Sequence, residues 1–91
     1  MRQYVDFAGL KILMTDEAEA HLRNSHPQDV TYIDLVGDVL GKPDLVLPDP
    51  RPNVVRYYGR VDSSGKLLRV VVKRLPEVAY IVTVFSTYRA R

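Results

Sequence analysis

The sequence predicts an α+β fold, with two N-terminal helices packed on a C-terminal antiparallel β-sheet of three to four strands. Three observations predict it. Helix-capping residues and an apolar stripe at helical spacing fall between residues 15 and 41. Three runs after residue 50 are rich in β-branched and aromatic residues, with faces that alternate. The connections between those runs are short, which forces antiparallel neighbours.

Residues 3–8 (QYVDFA) and 10–14 (LKILM) are apolar and extended in character, with Gly9 between them, and 10–14 reads as a short strand. Thr15 and Asp16 open a helix that runs to about Ser25, and Asp16-x-x-Glu19 fits a capping box. Its inward stripe is Ala18, His21, Leu22 and Ser25. Pro27 ends that helix and starts a second over 28–40, with Ser25-x-x-Gln28 as another possible capping box. Val30, Ile33, Val36 and Leu40 form its apolar stripe, and Gly41 stops it. Residues 44–47 read as a short strand, followed by the stiff turn PDPRP (48–52). Strands follow over 53–61, 66–74 and 78–87, with Asp62-Ser63-Ser64-Gly65 as a hairpin loop. Strict alternation would turn Leu68, Val70 and Val72 toward the helices, together with Val78, Tyr80, Val82 and Val84. Arg69, Lys73 and Thr83 would then share the opposite face, joined by Arg56.

Composition narrows the functional classes. Ninety-one residues with 46% hydrophobic and 26% charged side chains suit one globular domain. The sequence has no cysteine, which excludes disulfides and thiolate metal sites and suits a cytoplasmic location. No run reaches the length of a membrane span, and no signal peptide is visible, so no membrane partner is expected. Net charge is only +2, but residues 51–91 hold nine Lys or Arg against two acidic residues, whereas residues 1–50 hold four against nine. A basic sheet half is compatible with a nucleic-acid partner. It is equally compatible with charged residues that keep exposed strands from aggregating.

Two histidines are the residues best suited to proton transfer, because imidazole titrates near neutrality. His21 reads either as a half-buried core-edge residue or as a general acid or base. His26 reads as a cap at the helix junction or as a second functional histidine. Their five-residue spacing does not suit two ligands on one helical face, so no metal and no cofactor is expected. Arg56, Arg69 and Lys73 are candidate phosphate ligands, and Tyr57 and Tyr58 are candidate base-stacking residues.

The succession ILMTDEAEAHLRNSHP, KPDLV, VVRYYGRV, LLRVVVKR and IVTVFST resembles small phage- and toxin-associated nucleases of the Barnase–EndoU–colicin–RelE class. The resemblance covers residues 12–87, and it rests on the order and spacing of short pieces. It implies a metal-independent endoribonuclease, acting as a toxin and restrained by an antitoxin or immunity protein. It also implies catalytic roles for His21, Lys73 and Thr83, with RNA contacts from Arg56, Tyr58, Arg69 and His26. Two positions depart from the pattern: Gln28 stands where a glutamate is common, and Phe85 stands in place of a tyrosine. A catalytically inactive RNA-binding relative therefore remains an alternative, as does a partner-binding module with no nucleic-acid role.

Overall fold

The computed structural model describes residues 1–90. Two strands come first, β1 (Arg2–Val5) and β2 (Lys11–Met14). Helix α1 (Asp16–Ser25) follows, then a 3-10 segment (Pro27–Leu35) that continues into α2 (Val36–Gly41). Strands β3 (Leu45–Pro48), β4 (Val54–Arg60), β5 (Leu67–Arg74) and β6 (Ala79–Thr87) complete the chain. All six strands form one sheet in the order β1-β2-β6-β5-β4-β3. Among the described residues no helix is long and apolar enough to cross a membrane.

This corrects the expected arrangement of two N-terminal helices on a three- to four-stranded antiparallel sheet. The sheet is mixed, because β2 lies parallel to β6 through Ile12↔Ala79 and Leu13↔Tyr80. Two strands precede the helices, which cross over between β2 and the rest of the sheet. Local periodicity reveals which face a strand buries, but not which distant strand it will sit beside. Of the four-residue strands, β2 and β3 coincide to within a residue with the short strands expected over 10–14 and 44–47, and β1 overlaps the extended run 3–8.

Each element has a local cause. The β1–β2 turn is held by the Asp6 carboxylate, which accepts the N–H groups of Ala8 and Leu10, both at 2.9 Å. Gly9 supplies the positive φ of 85° that the turn requires. Thr15 caps α1 by accepting the Ala18 N–H. The expected Asp16–Glu19 capping box is therefore displaced, and Glu19 instead accepts from Arg2 and Arg23. The second expected helix is 3-10 over its first nine residues, and His26 offers it no side-chain cap. The run Val30-Thr31-Tyr32-Ile33 explains this, since β-branched and aromatic side chains lose rotamer freedom in an α-helix.

The core lies between the helices and one face of the sheet. Leu22 enters from α1, with Ile33, Val36, Val39 and Leu40 from the next segments. They meet Ile12, Met14, Tyr57, Leu68, Val70, Val72, Ala79, Ile81 and Val84. Each such side chain contributes roughly 1.5–3 kcal/mol on full burial. In β6 the strict alternation fails. Ala79 and Ile81 face the core, as Val84 does, because Val82 is an extra residue between the pairs Ile81↔Val72 and Thr83↔Val71. The bulge reverses the phase, so Tyr80 lies on the face turned away from the helices, together with Thr83 and Phe85.

Candidate functional site

The face turned away from the helices is a set of cross-strand rows. One row contains Leu45, Tyr58, Arg69 and Phe85. The next contains Leu47, Arg56, Val71 and Thr83, and the third contains Val54, Lys73 and Tyr80. Arg56, Arg69, Lys73 and Thr83 thus share one face. Rows lie about 7 Å apart, from two residues at about 3.3 Å each.

The first row is tied together by rings and cations. The Arg69 guanidinium carbon lies 5.1 Å from the Tyr58 ring centre and 4.7 Å from that of Phe85. His26 stacks on Phe85, with centroids 5.7 Å apart and planes inclined by 23°. His21 meets His26 edge-on at 6.2 Å. A continuous line therefore runs from Tyr58 through Arg69, Phe85 and His26 to His21. Helix α1 carries His21 to this place, and the turn after α1 carries His26, which closes the helix by donating its N–H to the Leu22 carbonyl.

His21 is not half-buried as its helical stripe suggested; it is exposed, with Nδ1 3.3 Å from the Ser25 hydroxyl. Of the stripe's members, Leu22 alone is fully buried. A ten-residue helix docking beside a sheet edge needs only a narrow contact. His26 makes the ring contact to the sheet, through Phe85.

The other expected residues are distributed unevenly. Thr83 lies one row from Arg69. Lys73 lies two rows away, about 13 Å along the strand, so the structure does not bring it against the histidines. Tyr58 is fully buried beneath Arg69, which removes it as a stacking platform for a base. Tyr57 is also buried, on the core side. Arg56 donates Nε to Asp49 at 2.8 Å, and Arg51 donates to the same carboxylate. Arg51 and then Arg56 hold the Asp49 carboxyl well below the usual carboxylate range. Among the described residues no carboxylate forms an ion pair with Arg69 or Lys73. Arg69 and Lys73 are thus open to a polyanion, as is Arg60, whose row with Leu67 and Thr87 lies on the same face and whose side chain forms no ion pair among the described residues.

Three contributors escaped the sequence reading. Phe85, regarded there only as a lost hydroxyl, is the ring that joins His26 to Arg69. Asp29 is buried beneath the same turn and accepts both the backbone N–H and the hydroxyl of Ser86. The proline-rich turn gave no sign that Asp49 would bond Arg56. The exposed Gln28 leaves this turn without a carboxylate at its surface.

A second polar cluster lies on the core side. Asp6 accepts the Tyr57 hydroxyl at 2.7 Å, and Arg74 donates to that hydroxyl at 2.6 Å. Burial raises the Asp6 carboxyl, but bonds from Tyr57, Leu10 and Ala8 with the nearby Arg74 charge outweigh it, leaving the group below its ordinary value. Burial pushes the Tyr57 phenol up. With Tyr57 and Asp6 both buried, this cluster braces the β1–β2 turn and offers no access to a substrate.

Among the described residues no group of three or more His, Asp or Glu is arranged to hold a metal ion. The depression in the β4–β5 hairpin, lined by Arg60, Asp62, Ser63, Ser64, Gly65 and Leu67, includes neither histidine. The histidine row lies at the surface, with His21 exposed and His26 half-buried. No family model, curated protein or solved structure matches the chain.

Proposed function

We propose that this protein is a metal-independent endoribonuclease in which His21 and His26 are the acid–base pair and Arg69 is the phosphate ligand. The observation that carries the reading is the unbroken line His21–His26–Phe85–Arg69. It sets two imidazoles beside an un-neutralised guanidinium at the rim of a basic sheet face. One histidine takes the proton from a ribose 2′-hydroxyl, whose oxygen attacks the adjacent phosphorus. The bond to the 5′-oxygen breaks, and the other histidine protonates that leaving group. Arg69 stabilises the added negative charge as it develops. The products are a 2′,3′-cyclic phosphate and a 5′-hydroxyl, and DNA, which lacks the nucleophile, survives. Thr83 and Lys73, one and two rows away, contact the strand beyond the scissile phosphate.

Purified protein incubated with total RNA in excess chelator tests this reading. His21→Ala and His26→Ala should each lower cleavage by roughly 10²–10⁴-fold, the usual worth of one positioned acid or base. A requirement for added divalent metal, or wild-type rates in both variants, would sink it. As a toxin, such an enzyme needs an antitoxin or immunity protein in its host. An acidic surface would complement the Arg69 and Lys73 face and make association salt-sensitive. Expression of the wild-type chain alone should slow growth more than His21→Ala, and equal growth would argue against toxicity.

The departures at Gln28 and Phe85 favour a second reading, a binding module for RNA that does not turn it over. RNA affinity without any fragment ending in cyclic phosphate identifies that case.

A further inference from the structure

We propose that Asp29 is the positioning residue that sets His26 against Phe85 and Arg69. The inference rests on the histidine chemistry proposed above for the function of the site, but its geometry stands separately. Asp29 is 1% exposed, an unfavourable place for a carboxylate without partners. Its two oxygens are both given to one residue of a distant strand: Oδ1 accepts the Ser86 hydroxyl at 2.6 Å, and Oδ2 accepts the Ser86 N–H at 3.1 Å. The Asp29 N–H donates to the His26 carbonyl at 2.9 Å. Ser86 adjoins Phe85, and the Phe85 ring stacks on His26.

These contacts close a loop from His26 through its carbonyl to Asp29, through Ser86 to Phe85, and back to the imidazole. The sheet provides the opening for it. Strand β2 pairs only with Ala79 and Tyr80 of β6, so the far half of that edge has no neighbouring strand on this side. Asp29 takes the Ser86 N–H there. A carboxylate that merely sealed the edge would leave the imidazole free to move. Because its backbone also holds the His26 carbonyl, the same residue fixes the turn that aims the ring.

Three variants separate these roles: Asp29→Asn, Ser86→Ala, which loses only the hydroxyl bond, and Ser86→Thr, which keeps it. The first readout is the nuclear Overhauser contact between the His26 and Phe85 rings in RNA-free protein. The second is kcat against KM on an RNA oligonucleotide. Asp29→Asn and Ser86→Ala should weaken the ring contact and lower kcat about tenfold or more, with KM within twofold, and Ser86→Thr should preserve both. Tyr57→Phe, which damages the Asp6 cluster instead, should leave ring contact and kcat unchanged. Folded Asp29→Asn with the ring contact and kcat of the wild type overturns the proposal, as does an equal kcat loss in Tyr57→Phe. If the wild-type chain cleaves no RNA, the ribonuclease reading falls and the ring contact alone decides. Its loss in Ser86→Ala supports the clamp, and its persistence in both Asp29→Asn and Ser86→Ala overturns it.

Discussion

Salt dependence distinguishes a nucleic-acid face from a merely basic one, and the ion pairing within this face predicts an uneven result. Each phosphate neutralised on a single strand adds about 0.7 to the slope of log affinity against log salt. Arg69 and Lys73 have no carboxylate partner among the described residues, whereas Arg56 is paired with Asp49. Arg69→Ala and Lys73→Ala should each flatten the slope by about 0.7. Between 50 and 200 mM salt, that is a two- to threefold smaller loss of affinity per contact removed. Arg56→Ala should barely change the slope. Asp49→Asn should steepen it by a similar amount, because it releases a guanidinium on the same face. Fluorescence anisotropy with a labelled 2′-O-methyl RNA strand measures this without cleavage, since the nucleophile is blocked. A wild-type slope near zero, or equal flattening by Arg56→Ala and Arg69→Ala, would refute the reasoning.

Two further outcomes concern the frame of the site. Asp6→Asn exchanges a charge-assisted bond to Tyr57 for a neutral contact and should cost about 1.5–3 kcal/mol in urea denaturation at pH 7. The folded Asp6 carboxyl lies below its ordinary value. Its stabilisation is therefore complete above the unfolded pKa, near 4, and is lost as pH falls through the lower folded value. The gap between wild type and variant should narrow below pH 4, and a gap independent of pH would contradict the assignment. Gly59→Ala would place a Cβ 2.7 Å from Cγ2 of Val39, a stiff β-branched side chain. Overpacking of about 1–3 kcal/mol should lower Tm by several degrees, and Val39→Ala in the same chain should recover part of the loss.

The elements that local chemistry dictates were legible in the sequence. Thr15 opens α1, Pro27 divides the helical segment, and β4 and β5 lie within a residue of their expected bounds. Arrangements that depend on distant partners were not. The parallel pairing of β2 with β6 rests on two residue pairs separated by 67 positions, and nothing in LKILM announces it. The candidate site shows the same division. Strand alternation put Arg56, Arg69 and Lys73 on one face. It could not show that Lys73 stands two rows from the histidines, that Asp49 occupies Arg56, or that His21 is exposed. The helix-end position of His26 fits a cap as well as a functional role, and the sequence does not show its ring contact with the sheet. Its stacking on Phe85 joins residues 59 positions apart in sequence.

The bulge in β6 connects the sequence pattern to the site. Without Val82, the order Ala79, Ile81, Val84, Ser86 alternates perfectly with Tyr80, Thr83, Phe85, Thr87. The first set faces the core and the second faces away, as the register already places them. Deleting Val82 should therefore preserve every cross-strand pair, including Arg69↔Phe85, and keep Ser86 within reach of Asp29. The bulge would disappear while both faces kept their residues. Because Val82 is only partly buried, the deletion should cost no more than about 1–2 kcal/mol, mainly from the removed apolar surface. Urea denaturation measures the cost, and the ring contact between His26 and Phe85 reports whether the row survives. An unfolded product would show that the extra twist a bulge imparts is itself needed to seat α1 against β6. A folded product that kept the ring contact would show that the register of β6, and not its bend, holds Phe85 between the histidine and the arginine.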